Sequence, residues 1–471
     1  MLGIHVYRAA ALATLSILSA ALGSGCQSLP DYRPLYAQGD CAGAEAALDA
    51  QIIDGLDLPE GQTTLEPHVV PVSALDDSTM ALLFMDKAML RLAQGHSKGS
   101  LRWMDPARAA MDEAYVDSFT EYLGNPFDLL ELLMGDAQRD YQGADYEHVV
   151  LRAMLSLCDL LCQQVDAYAY SQESADRQRE ILASELGEDT GFKPRENYRR
   201  IALGSYLRGV IDESKLFTSE ARLSYEEAAS FLPESAILTD AVERTTSGSY
   251  TPEPGQGVVH VFYLGGRGPH LEEGLLRPDL IALQLLIEVG IAIFSEGAVV
   301  SPLTQDLIPV PAVAVNTPEV PPLRVWEDGT GAEVTTETLL DVNQVAQEQL
   351  DANMPMILTR ALLRRAIKGW LAAEVESRYG KLAGLATSAA LTVIEQPDTR
   401  SWLTLPAQFQ VSRMVLPEGR HTLHFSGAAD RAVNVGAGKD TYVVVHHPFL
   451  DRPGTVLVDV FSDEYLSFDA N

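Results

Sequence analysis

Two hydrophobic periods divide this chain. Across residues 31–235 apolar side chains recur three and four apart, as in Leu82, Leu83, Met85, Ala88, Met89 and Leu92, with Gly95 as a stop. That spacing places them on one face of a helix. It returns in 146–164 and 198–211, and each long helix is followed by a polar break and a second, alanine-rich amphipathic segment. These second segments are Ala107–Tyr115, Ser174–Leu186 and Ser219–Phe231. Then Gly, Pro and Ser crowd into Thr246–Gly257, the composition of a linker. Val258–Leu264 opens the second regime with the β-branched and aromatic residues of a buried strand.

Beyond it, Leu307–Val315 and Pro322–Trp326 read as β-type segments punctuated by proline, and helices return over 338–394. Met356–Trp370 is amphipathic, and Asn353-Met354-Pro355 reads as a break before it, because the residue preceding proline disfavours the helical region. Five short strands close the chain, at Phe409–Val415, His421–Phe425, Ala432–Val435, Thr441–His446 and Val456–Phe461. Pro417-Glu418-Gly419 and Gly436–Asp440 supply turns between them. The expectation is an α+β fold in which a helical repeat domain over 26–245 precedes a linker at 246–257. A mixed α+β domain over 258–400 and a small β-sandwich-like subdomain over 401–471 would follow.

Repeated helix pairs are the mark of an α-solenoid. The last pair is the most specific, because Ala221, Tyr225, Ala228 and Pro233 are similar to the second helix of a tetratricopeptide repeat. Gly209 stands twelve residues before Ala221, where such a repeat carries a small residue. Small residues let two helices touch, the aromatic ring fills the gap, and proline ends the unit. Tyr36–Leu48 resembles the middle of another unit. A generic helical bundle remains the alternative.

At the N-terminus Arg8 is the only charged side chain among the first 25 residues, and the apolar run Ala9–Leu22 follows it. The run ends in Gly23-Ser24-Gly25-Cys26. A basic start, an apolar core too short for a transmembrane helix and small residues before a cut are the parts of a secretory signal at 1–25. The cysteine after them resembles the lipidation site of a bacterial lipoprotein, so Cys26 is expected to carry acyl chains and anchor the protein to a membrane. Gln27 in place of Asp favours the periplasmic side of the outer membrane. The remaining cysteines are Cys41, Cys158 and Cys162. The last two lie four apart on one helix face and read as small packing residues, with any disulfide left open.

Taken together, Tyr141–Glu147, Gly257–Leu264 followed by Glu272-Glu273, and Asp398–Pro406 resemble a family of uncharacterised bacterial lipoproteins with N-terminal tetratricopeptide-like repeats. Arg360–Lys368 is similar to the basic helix preceding the last of these motifs. The resemblance implies an envelope lipoprotein, often encoded near a lipoprotein of the curli-assembly type, which makes such a protein a candidate partner.

The charge balance narrows the function classes. With 66 acidic and 34 basic side chains the net charge is −32, which argues against nucleic acid or an anionic membrane surface as the principal partner. Motifs for chemistry are sparse. Gly265-Gly266-Arg267-Gly268 lacks the Lys-Ser/Thr signature of a phosphate cradle, and no nucleophile elbow occurs. Glu272-Glu273 reads as a solvated carboxylate pair. His446 and His447 point to opposite faces of a strand, and a metal shared with His421 and His424 would need several strands to converge. No catalytic residue, metal ligand or cofactor is therefore assigned.

Arg360, Arg364, Arg365 and Lys368 form the only compact basic cluster, and 360, 364 and 368 fall on one helical face. They read either as a docking face for an acidic partner, including this chain's own repeats, or as a solvated helix face. The functional expectation is a non-enzymatic envelope scaffold that binds proteins or peptides through its helical repeats. The alternative is an envelope polymer-processing enzyme with its site in the C-terminal region.

Overall fold

A computed structural model describes residues 31–56, 78–115, 141–162, 165–183, 194–248, 252–278, 281–286, 307–383, 385 and 396–459. The signal segment, Cys26 and residues 57–77 and 116–140 are among those that lie outside the described residues.

Helices come first. They are α1 (Tyr32–Ala37), α2 (Cys41–Gly55), α3 (Ser78–Ala93), α4 (Ser97–Ala114), α5 (Asp145–Cys162), α6 (Ala167–Ala183), α7 (Leu203–Ser214), α8 (Thr218–Phe231) and α9 (Ala236–Ser247). Their starts are written locally. The Asp40 carboxylate accepts the Gly43 N–H and the Ser235 hydroxyl accepts the Leu238 N–H, each satisfying a backbone donor of the first turn. Consecutive helices pack against one another in chain order. Helix α5 is enclosed on every side, with all of 146–162 buried; its polar stripe is satisfied inside the protein, Arg152 by Asp112, Ser156 by the Ala167 carbonyl and Asp159 by the Ala167 N–H.

Eleven strands follow among the described residues: β1 (Gln256–Arg267), β2 (His270–Leu276), β3 (Ile308–Ala314), β4 (Arg324–Glu327), β5 (Ala332–Thr335), β6 (Glu337–Asp341), β7 (Pro406–Pro417), β8 (Gly419–Phe425), β9 (Ala428–Val435), β10 (Asp440–His447) and β11 (Thr455–Val458). Helix α10 (Val342–Tyr379) separates β6 from β7. One five-stranded sheet has the order β11-β10-β1-β7-β6, a second of four has β5-β4-β8-β9, and β2 pairs with β3. Strand β1 lies at the centre, parallel to β10 from Val258↔Asp440 to Gly265↔His447 and antiparallel to β7.

The alternation along β1 explains the layering. Phe262 and Leu264 join a core built with α1–α9, whereas Val259, Val261 and Tyr263 join a second core against the four-stranded sheet. The chain is therefore layered as helices, sheet and second sheet, an α+β architecture.

This layering redraws two expected boundaries. One continuous apolar core crosses the stretch 246–257, so the helical and sheet regions are not separate packing units. The final strands do not form a sandwich by themselves either. β7, β10 and β11 need β1 and β6 to complete their sheet, and β8 and β9 need β4 and β5. A strand buried on both faces requires a cover on each side, and the described residues of this stretch, 401–459, do not supply both.

Pro355 was expected to end a helix and instead lies inside α10. The proline removes one N–H from the ladder. Asp351, four residues earlier, is exposed, where water can take the orphaned carbonyl bond. Among the described residues no helix is long and apolar enough to cross a membrane.

Candidate functional site

Three segments distant in sequence meet in a cleft of about 240 Å³ between the helical layer and α10. The first is Tyr141–Glu147, which leads into α5. Gly143 has φ +70°, and a Cβ there would stand 2.3 Å from Met111 Cε, so the turn admits only glycine without rearrangement. It brings the Ala144 N–H to Glu147 Oε2 at 2.9 Å, and the Tyr141 hydroxyl donates to the same oxygen.

The second segment is the corner at 398–404. The Trp402 N–H donates to Glu147 Oε1 at 2.9 Å. Two further donors of the corner, the Thr404 N–H and hydroxyl, reach Asp86 Oδ1 at 3.0 and 2.7 Å. Burial pushes the Glu147 carboxyl up, against the opposing effect of its donors. Arg400 pairs with Asp398 through Nη2 at 2.7 Å. Its guanidinium lies 5.5 Å from the Tyr141 ring centroid, which places a cation over the aromatic face.

The third segment is one side of α10. Gln349 Oε1 accepts the Tyr146 N–H at 2.9 Å. Asn353 Nδ2 donates to Gln349 O at 2.9 Å and to the Tyr198 hydroxyl at 2.6 Å. That arrangement leaves Asn353 Oδ1 as a buried acceptor without a partner. Leu350, Ile357, Pro311 and Val313 give the cleft an apolar wall.

A fourth contribution comes from the connection before α7. Arg195 Nε donates to Asp145 Oδ2 at 3.0 Å and its Nη2 to Oδ1 at 3.3 Å, while the Tyr115 hydroxyl donates to Oδ1 at 3.0 Å. The carboxylates at 145, 147 and 398 thus already have donors within the protein.

The basic cluster of α10 does not lie on a solvated helix face. Arg360, Arg364 and Lys368 are 4%, 2% and 7% exposed. Arg365 is half-buried and donates from Nη2 to Leu307 O at 3.1 Å. Leu358, Leu362 and Ile367 bury the adjoining faces of the helix, so the stripe is enclosed. All four side chains engage other groups of the chain. They do not form an exposed docking face, although Arg360 lines the cleft.

The residues singled out for helix packing meet directly. A Cβ on Gly209 would stand 2.6 Å from Tyr225 Cδ1, and Ala221, Tyr225 and Ala228 are all fully buried. Exposed Pro233 follows the end of α8. The Tyr225 hydroxyl donates to Glu213 at 2.7 Å.

The remaining chemical candidates are dispersed. Glu272 and Glu273 are exposed on β2. His447 meets the Tyr263 hydroxyl at 3.1 Å on one face of β10, and His446 is buried on the other. His421 lies 3.4 Å from Glu327, and His424 3.0 Å from Asp430. Among the described residues no group of three or more His, Cys, Asp and Glu side chains is arranged to hold a metal.

Tyr115, Arg195, Gln349 and Asn353 escaped the sequence reading, since no local pattern marks a residue whose partner lies in another segment. No protein-family model matches this chain, and searches of curated proteins and of solved structures return no match.

Proposed function

We propose that this protein is a non-enzymatic binding module of the bacterial envelope, held at the membrane by acyl chains on Cys26, which takes a segment of a partner protein or peptide into the cleft. The reading includes membership of the lipoprotein family with tetratricopeptide-like repeats. It also includes a helical layer that is a short repeat array turned onto the chain's own sheet. What supports it is the convergence of the quoted motif segments, Tyr141–Glu147 and Asp398–Pro406, with Arg360 on a single cleft.

The state of the cleft's charges favours recognition over turnover. Asp145 is held by Arg195 and Tyr115, Asp398 by Arg400, and Glu147 by two backbone amides and a phenol. A carboxylate so engaged is a poor general base. The unpaired Asn353 Oδ1 beside an apolar wall instead suits a peptide, whose N–H it would accept while an apolar side chain packs on Leu350 and Ile357.

Because helices and sheet share one core, deleting the helical region would unfold the remainder, and point variants are the proper test. A photoreactive amino acid in place of Leu350 should form an adduct with an envelope protein in cells. That adduct should disappear when Asn353→Leu is added. No adduct, or one indifferent to Asn353→Leu, would overturn the reading. Mass spectrometry of Cys26 tests the anchor separately.

A further inference from the structure

The turns joining α3 to α4, α5 to α6 and α7 to α8 lie along one edge of the helical layer. Cys162 Sγ is 3.6 Å from Ser97 Oγ, which sets the first turn beside the second. Lys215 Nζ sits 5.2 Å from the Tyr168 ring centroid, which sets the third beside the second. This edge has two unusual properties.

The first is apolar exposure. Val165, Leu216 and Phe217 are 90%, 61% and 54% exposed at the tips of the second and third turns. Leu216 has φ +62°, the only positive value outside glycine among the described residues. A leucine there costs more than the glycine that ordinarily ends a helix in this conformation. The Phe217 N–H bond to Asp212 O at 2.9 Å closes the helix end around Leu216, and the cap leaves its side chain 61% exposed.

The second property is charge. A cavity of about 330 Å³ at the first turn is lined by Arg91, His96, Lys98 and Arg102 over the buried Trp103; among the described residues no carboxylate lines it, and Arg91 pairs with Glu45 at 3.3 Å. His96, Lys98 and Arg102 are exposed. Such a cation-lined hollow is exceptional in a chain with 66 acidic and 34 basic residues. It is matched to a phosphate group, and the apolar tips beside it are matched to acyl chains.

We propose that this edge docks on a phospholipid bilayer bearing anionic headgroups, with Val165, Leu216 and Phe217 entering the interface and Lys98 and Arg102 holding headgroup phosphate. Apolar insertion and local cationic attraction act together in such contacts. The net negative charge does not forbid it, because repulsion from the rest of the surface is screened beyond ~10 Å at 0.1 M salt. It would orient the molecule with this edge toward the membrane. The contact does not require acylation of Cys26.

Amide hydrogen exchange on the full chain tests this locally, so that vesicle binding through the N-terminal segment cannot imitate it. Vesicles rich in phosphatidylglycerol should slow exchange about tenfold at both 94–102 and 215–217. Phosphatidylcholine vesicles should slow it less, and inorganic phosphate should leave 215–217 unchanged. Lys98→Glu with Arg102→Glu should abolish protection at 215–217, which those substitutions do not touch. Unchanged exchange in the interior of α5 verifies folding, and the Lys98→Gln, Arg102→Gln pair replaces the reversal if folding suffers.

Protection of 94–102 by phosphate with no vesicle effect at 215–217 would overturn the proposal in favour of a free-anion site. Equal protection on phosphatidylcholine would overturn the headgroup assignment, and absence of protection at both stretches would overturn the whole.

Discussion

Glu147 accepts the backbone N–H of Trp402 across 255 residues of sequence, at 2.9 Å, in a buried position. The same carboxylate takes the Ala144 N–H and the Tyr141 hydroxyl. One side chain of the helical layer thereby fixes both the turn entering α5 and the corner leading into β7. A glutamine at this position would direct an NH2 group at one of three donors. Glu147→Gln should lower the unfolding free energy by about 2 kcal/mol, the usual penalty of a buried donor left unpaired. Urea denaturation of the full chain measures it, and an unchanged midpoint would show that the latch carries no net stability.

The contact between Gly209 and Tyr225 makes a second prediction. Alanine is favoured over glycine within helices by about 1 kcal/mol. Here its Cβ would press 2.6 Å from a fully buried ring whose hydroxyl is tied to Glu213. Overpacking of this kind costs ~1–3 kcal/mol, so Gly209→Ala should destabilise despite its better propensity. Tyr225→Leu in the same chain should make the alanine tolerable. Additive losses in the double variant would mean the two positions do not press on each other.

Much of the secondary structure was legible because period and turn chemistry are local properties. The β-branched and aromatic run Val258–Leu264, which lies within β1, is an example; the Pro417–Gly419 turn is also in place, but it carries the chain from β7 of one sheet to β8 of the other instead of closing a hairpin. The assembly was not legible, because β1 finds its parallel neighbour in β10, 182 residues later at Val258↔Asp440, and no spacing rule announces such a pairing. The basic stripe at 360, 364 and 368 shows the same limit. Its helical spacing was plain, but whether a stripe faces water depends on what packs over it. The cleft was visible only as scattered motif segments, since Arg195 and Asp145 acquire meaning from each other.

Buried thiols give a third prediction. Burial pushes Cys158 up to about 12 and also raises Cys162, and both sulfurs face serines of α4. At pH 8 a thiol with that value is ionised in roughly one molecule in ten thousand, and the thiolate is the reactive form. Iodoacetamide should therefore leave Cys158 unmodified in the native protein and alkylate it promptly in denaturant. Half-buried Cys41 should react before it. Peptide mass spectrometry distinguishes the sites, and labelling of Cys158 at the rate of Cys41 would contradict the enclosed α4–α5 interface.

Asp86 sets the direction of a pH dependence. It is fully buried and accepts from the Tyr32 hydroxyl and from the Thr404 N–H and hydroxyl, yet burial outweighs these donors and raises the carboxyl to about 6. Between the ordinary carboxylate value and about 6, the folded state holds a proton that the unfolded chain has released. Folding stability from this group is then fully present below the ordinary value and is lost as pH rises through 6. The slope approaches ~1.4 kcal/mol per pH unit for one proton. The raised carboxyls of Glu147 and Asp159 act in the same direction. Asp86→Asn keeps an oxygen for Thr404 and removes the titration. His446 and His447, lowered by burial, act in the opposite direction. The comparison is therefore between proteins: from pH 4.5 to 7.5 the slope of the denaturation midpoint should be more negative for the native chain than for Asp86→Asn. Identical slopes for the two proteins would show that Asp86 remains ionised throughout, with its three donors prevailing over burial.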